Sequence, residues 1–370
     1  MIVCWGCLAL AAAAGNIWDG GGGNDDWGTG ENWSPDGSPA PGSSNTIVFS
    51  GQNRLTPNNN YNFYDSWQQL VFSADAGSFA LGGNPIDLYW KIENYSEAVQ
   101  TVNLGAISLK GAVGELNPIN GDLRVLSPNI YTNGVPIRIY GDSGKTVTIG
   151  GEISGSGGLA VKESSTVVLQ GSNSYLGSTT AEAGVLLVNG STGTGDVEVW
   201  SGAKLAGTGM VLGETTVNGT HSVGAVDGEV GVQQFSGDLN YGEGSIFSWD
   251  LDSNSTDSGF DQVDRMSAGG TVTMSSSAVL QIVLGSDVSF TESNFWGSDR
   301  TWAWESIFTD FATVGSFSNF SVINGADGAN FGSFSVDSNG VQWSAVPEPG
   351  SLLVGTLLGV GLMRRSRLRP

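Results

Sequence analysis

A short strand, then glycine, then another short strand: this alternation is the feature of the sequence that leaves the fewest folds open. Thr146-Val147-Thr148-Ile149 runs into Gly150-Gly151, Val167-Val168-Leu169 into Gly171, and Val185-Leu186-Leu187-Val188 into Asn189-Gly190. Asp196-Val197-Glu198-Val199 precedes Gly202, Ala203-Lys204-Leu205 precedes Gly207-Thr208-Gly209, and Val217-Asn218-Gly219 follows. Apolar and polar residues alternate with a period of two, and no stretch of useful length carries the period of a helix. With 57 glycines among 370 residues, the chain replaces helix formers by β-branched and turn-forming residues. Hydrophobic residues make up 39%, enough for a core and too many for general disorder.

Two all-β architectures fit strands of this length and spacing: a parallel β-helix or solenoid, and an antiparallel β-sandwich. Asn-Gly steps suit sandwich hairpins. Gly, Ser, Thr and Ala at every corner, with no framing disulfide, favour the solenoid over residues 52–345. In that arrangement each rung buries its inward side chains only when neighbours stack on it. Val185, Leu187, Val197, Val199 and Leu205 are expected to point inward, and Glu198 and Lys204 outward.

Charge excludes one class of partner. Lys and Arg number 14 against 36 Asp and Glu, a formal net charge of −22, and nucleic-acid binding needs clustered cations. Arg364, Arg365, Arg367 and Arg369 lie at the extreme C-terminus, which leaves the body still more acidic. Both cysteines, Cys4 and Cys7, fall near the N-terminus, so the remainder carries no thiol chemistry. Their C-x-x-C spacing in an apolar leader is weak redox evidence.

The two ends read as targeting segments. Residues 1–14, MIVCWGCLALAAAA, form an apolar stretch ending in small residues, the pattern of a signal peptide, although a basic n-region is missing. At the other end, Val346-Pro347-Glu348-Pro349 makes a rigid break, an apolar run follows to Met363, and the arginine cluster closes the chain. Cations after an apolar run stay on the cytoplasmic side, so a transmembrane segment near 349–365 would leave the body outside.

Those ordered parts, within 346–370, resemble the PEP-CTERM sorting signal of Gram-negative bacteria. The resemblance implies export, transient anchoring in the inner membrane and processing by an exosortase-type enzyme. It assigns Pro347, Glu348 and Pro349, after Val346, to the recognition motif, and Arg364, Arg365 and Arg367 to the stop-transfer cluster. Residues 152–209 carry a second resemblance. Ile153 to Leu159 (ISGSGGL), Leu169 to Tyr175 (LQGSNSY), Gly177 to Thr180 (GSTT) and Leu186 to Gly190 (LLVNG) are similar to the autotransporter-associated β-strand repeat. That likeness implies a right-handed parallel β-helix with a scaffolding role. The chain lacks the terminal barrel of a true autotransporter and shows one good copy of the repeat.

Chemistry is sparse. The single histidine, His221, reads as a turn residue in Gly219-Thr220-His221-Ser222, and one histidine almost excludes histidine-based triads and metal sites. Asp250, Asp252, Asn254 and Asp261 occupy positions 1, 3, 5 and 12 of a loop resembling an EF-hand. Ser255 stands where that loop needs glycine and Asp261 where it needs Glu, so a solvated acidic loop is the simpler expectation. Trp18, Trp27 and Trp33, in the Trp/Gly-rich segment 16–51, suit sugar stacking or an end cap. Phe295, Trp296, Trp302 and Trp304, followed by Phe308, Phe311, Phe317 and Phe320, pose the same choice at the other end. The leading expectation is a non-catalytic surface or extracellular-matrix protein without a cofactor, with exopolysaccharide as a partner. Carboxylates converging with Arg265, Arg138 or Lys110 would instead mark a polysaccharide-active enzyme, and exposed coplanar indoles a carbohydrate-binding adhesin.

Overall fold

The structure is a computed structural model that describes residues 16–224, 230–256, 265–268, 270–291, 294–323, 328 and 330–346. The proposed signal peptide, Asp261, residues 347–349 and the terminal arginines lie outside these.

Parallel pairing dominates from the first described strand. Asn16–Trp18 pairs with Gly42–Phe49, that strand with Asp65–Phe72, and that one with Ile86–Asn94. Ile86–Asn94 then feeds two ladders. Its residues 86–88 pair with Ile107–Leu109, followed by Asn129–Tyr131 and Glu152–Ser154. Its residues 91–94 pair with Gly114–Pro118, and that ladder continues through Ile137–Ile139, Leu159–Val161, Thr179–Ala181, Val197–Val199, Thr215–Val217 and Leu239–Tyr241. A separate 12-stranded sheet runs from Asn58–Asn59 to Asn319–Ile323. A 4-stranded one joins Met210–Val211, Val232–Phe235, Arg265–Ala268 and Phe308–Thr309. Each visit of the chain to a sheet thus adds one strand beside the previous visit, at the usual spacing of about 4.8 Å. These long parallel sheets are compatible with a β-solenoid. Hairpin-paired strands are not found through the described residues of 152–209.

Stacking of like positions builds the core. In the 12-stranded sheet the inward partners, rung by rung, are Leu123, Val147, Val167, Leu186, Leu205, His221, Phe247 and Leu280, and all are buried. Val197, Val199 and Leu205 point inward as their pattern predicts, while Glu198 is exposed and Lys204 half-buried. One strand differs from its expected parity. Leu186 and Val188 are the buried residues of Val185–Val188, and Val185 and Leu187 face outward. Four consecutive apolar side chains carry no parity of their own. Pairing with Thr166–Leu169 sets the parity, placing Leu186 on Val167 and Val188 on Leu169, and Gly184, with φ of +64°, makes the turn into the strand that an L-residue would strain to make.

The glycines have a positional cause. A methyl group on Gly171, Gly190 or Gly209 would overlap the carbonyl oxygen of Gly151, Gly171 or Gly190 respectively, one rung below. A second column behaves alike, with Gly195 against Gly177 and Gly213 against Gly195. The chain bends at these corners so closely over the preceding coil that no Cβ fits, and this recurs on successive coils between Gly151 and Gly213.

Both ends are aromatic. Trp18, Trp27, Trp33 and Trp67 are fully buried around Phe49 and Phe72, with Trp18 and Trp33 edge to face at 5.1 Å. The strands Asn16–Trp18 and Gly42–Phe49 of segment 16–51 pair in parallel with the body, which places its buried indoles over the first coils of the stack. At the far end the pattern changes. Arg300–Ala303, Gly340–Ala345 and Gly332–Val336 form a 3-stranded antiparallel sheet, so the expected solenoid pattern does not extend unbroken to residue 345.

Candidate functional site

The residues singled out as possible sites divide according to whether their side chains are already engaged. Trp296, Trp302 and Trp304 are buried, as are Phe308 and Phe317. Trp296 packs on Trp343 at 4.9 Å and on Phe290 at 4.6 Å. Phe295 and Phe311 are partly buried against this core and Phe320 is exposed. These rings close the C-terminal end, and the buried indoles of both ends present no stacking platform to solvent.

The EF-hand-like loop is engaged in that closure. The Asn254 side-chain oxygen accepts hydrogen bonds from the Trp296 indole at 2.5 Å and from the Ser289 backbone at 3.0 Å, while its amide donates to the Asp287 carbonyl. Asn254 therefore holds the aromatic cluster and is not turned toward a shared centre with Asp252. Asp250 is buried on the strand Ile246–Leu251. Among the described residues no three Asp, Glu, His or Cys side chains are grouped to hold a metal ion.

His221 is not on a turn. It lies inward on Thr220–Val223, fully buried between Leu205 and Phe247 in the core column. Its Nδ1 lies 2.7 Å from the Tyr241 hydroxyl and its Nε2 2.7 Å from the Gln233 side-chain oxygen. Gln233 in turn donates to the Ala206 carbonyl at 3.2 Å. Burial lowers the His221 pKa to about 4, against the smaller opposing pull of the Gln233 hydrogen bond. The alternation Thr-His-Ser-Val contains the signal for an inward strand residue, but polarity conceals it.

The three cations named for the enzyme alternative stand on different ladders. Lys110 lies 3.8 Å from Asp87, whose carboxyl is raised chiefly by burial, in the ladder containing Ile107–Leu109. Arg138 stands on the neighbouring ladder beside Glu115. The backbone of Arg265 pairs with Val232, in the 4-stranded sheet.

The polar arrangement that sequence reasoning missed is on the outward face of the longest sheet. Register places Gln69, Lys91, Glu115 and Arg138 in one outward column, and Val71, Glu93 and Asn117 in the next, with Tyr140 following Ile139 at its end. Lys91 binds Glu93 at 2.7 Å with both side chains largely covered. Burial first, then the Glu93 charge and hydrogen bond, raise the Tyr95 pKa. Further along the same face Lys162 and Glu182 form an ion pair, beside exposed Trp200. No three-residue motif marks this face because its members are about one coil apart in sequence.

No family model matches the chain, and none of the curated proteins matches it either. Among the described residues no helix is long and apolar enough to cross a membrane. The expected transmembrane segment falls beyond them. Val346, the first residue of the proposed sorting motif, is exposed where the last strand ends.

Proposed function

We propose that the chain is an exported, non-catalytic scaffold of a bacterial cell surface or extracellular matrix, folded as a right-handed parallel β-helix. The single observation that carries this reading is the continuity of the stack. One column of inward side chains runs from Leu123 to Leu280 without interruption, and aromatic clusters cover both ends. Such a stack gains stability from each neighbour interface, and a long, self-supporting body suits a mechanical or spacing role. The right hand follows the strong preference of parallel crossovers. Paired charges such as Lys162–Glu182 and Lys91–Glu93 support an outer face built for structure before chemistry.

Delivery is read from the termini: a signal peptide over 1–14, and over 346–370 a PEP-CTERM-like tag that an exosortase-type enzyme would process after the tail has held the chain at the inner membrane. Fractionating the producing cells and mass-mapping both ends of the mature protein tests this. The expected product begins after Ala14, ends near Val346 to Pro349, and is found outside the inner membrane. An intact cytoplasmic chain would refute the reading.

A further inference from the structure

The outward face of the longest sheet carries an anomaly near its N-terminal end. Outward polar residues of a solenoid should be solvated, yet Glu93 is 6% exposed and Asn117 8%. Register sets these two side by side on neighbouring strands, with Val71 before them in the column and Tyr140 after them. Lys91, two residues before Glu93 and on the same face, places its ammonium 2.7 Å from the Glu93 carboxylate. Of the ion pairs among the described residues this one is the most covered, its side chains 15% and 7% exposed. The Asn117 side-chain oxygen is buried and accepts no hydrogen bond. An amine, a carboxylate and an unengaged amide carbonyl thus lie together, largely shut away from water.

We propose that Lys91 and Asn117 join in a side-chain amide, an isopeptide bond that the chain forms on itself, with Glu93 carrying the proton. Adjacent strands lie about 4.8 Å apart and residues about 3.3 Å apart along a strand, so the Cα atoms of Lys91 and Asn117 are about 8 Å apart on the diagonal. That span is within the joint reach of a lysine and an asparagine side chain. The Trp90 ring, 4.0 Å from the ammonium, helps to hold the amine in place. Separated charge is costly in a covered pair, which favours passing one ammonium proton to Glu93 and leaves a neutral amine beside a carboxylic acid. Nζ then attacks Asn117 Cγ while the Glu93 proton moves to Oδ1, the oxygen without a donor at rest. Glu93 takes the surplus proton from the attacking nitrogen and hands it to the amide nitrogen. As the carbonyl re-forms, its hydroxyl proton returns to Glu93, the Cγ–Nδ2 bond breaks and ammonia leaves. One C–N bond forms, one breaks, and nothing is oxidised or reduced. The Lys162–Glu182 pair offers the same charges but no amide, because Tyr140 and Trp200 flank it in the column.

The bond ties Ile86–Asn94 to Gly114–Pro118, a strand pairing that otherwise rests on hydrogen bonds, and so clamps two successive coils. It goes beyond the scaffold reading and stands whatever the cellular location. The purified full chain is denatured, digested with trypsin and mapped by mass. Cleavage is expected at Arg54, Lys110 and Arg124 but not at Lys91, with residues 55–110 joined to residues 111–124 and the joined pair lighter by one ammonia. A succinimide at Asn120-Gly121 releases the same ammonia, yet it leaves the two peptides separate and Lys91 open to cleavage. Glu93→Gln and Asn117→Leu should each abolish the branched peptide with the far-ultraviolet circular dichroism unchanged. Lys162→Gln, in the other ion pair, should leave it in place. Separate peptides in the parent, or a branched peptide that survives Glu93→Gln or Asn117→Leu at the parent's level, would each overturn the proposal. The parent's own map decides the matter where a variant does not fold.

Discussion

Acid should unlock this fold through His221 before it acts on the carboxylates. The imidazole is fully buried and both its nitrogens are engaged, by Tyr241 and Gln233. Its pKa falls from an ordinary 6.5 to about 4 on folding. Between those values the unfolded chain binds a proton that the folded chain refuses, so stability must fall as pH drops through that window. The contribution is nearly intact above pH 6.5, about 2.5 kcal/mol is gone by pH 4.5, and the loss levels off near 3.4 kcal/mol well below pH 4. Asp25 and Asp75, both held below the usual carboxylate range mainly by side-chain hydrogen bonds from Thr56 and Ser73, start to lose their contribution only as pH falls through the ordinary carboxylate value toward their lowered folded ones. Asp87, raised by burial, works in the opposite sense, so a variant must isolate the histidine.

His221→Phe supplies it. Phenylalanine matches the ring and stacks between Leu205 and Phe247, but it removes the histidine partner of the Gln233 oxygen, at a cost of about 1–3 kcal/mol at every pH, while the Tyr241 hydroxyl still faces the Met266 sulfur at 3.6 Å. Urea unfolding followed by tryptophan fluorescence at pH 7.5, 6.5, 5.5 and 4.5 measures both effects. The variant should start lower and decline less steeply, so that the two stabilities converge by pH 4.5. Parallel curves would refute the reasoning, because a histidine that is not held neutral in the core has no reason to steepen the parent's decline.

Other consequences are simpler to check. Leu186→Ala should cost about 2–5 kcal/mol in the same urea assay, whereas Leu187→Ala, on the outward side of the same strand, should cost less than about 1 kcal/mol. Gly190→Ala should lower the melting temperature sharply because its methyl meets the Gly171 carbonyl, while Gly23→Ala, which meets nothing, should leave it unchanged. Adding a chelator should leave the melting temperature within error, since stacked rungs carry the stability, and a large drop would return attention to Asp250 and Asp252. Replacing Arg364, Arg365 and Arg367 by neutral residues should impair retention and processing of the tail, and wild-type sorting of that variant would refute the tag.

Legibility in this sequence follows a physical divide between local and stacked information. The strands of 146–217 could be read because period-two alternation and corner glycines are local. Parallel pairing could be favoured because small residues recur at every corner. The parity of Val185–Val188 could not be read, since Val-Leu-Leu-Val offers apolar residues to both faces and only its pairing with Thr166–Leu169, Leu186 beside Val167 and Val188 beside Leu169, fixes the phase. His221 misled for a related reason: a polar residue looks like a turn residue until two partners, Gln233 and Tyr241, arrive from later strands to satisfy it. Asn254 resembles a cation ligand by spacing, yet its oxygen is taken by Trp296 from a distant segment.

The covered outward column was the least legible of all. Glu93 and Asn117 each look ordinary in sequence, and only the coil length sets them side by side. A slip of one residue in the pairing of Gly114–Pro118 with Ile86–Asn94 would turn Asn117 inward and move Leu116 to solvent, because a shift of one reverses every side chain. Function on a stacked fold is thus written in the spacing between strands as much as in the strands. The positions that break the inward-outward rule, a polar core residue at His221 and a buried outer amide at Asn117, are where a structural repeat departs from mere repetition.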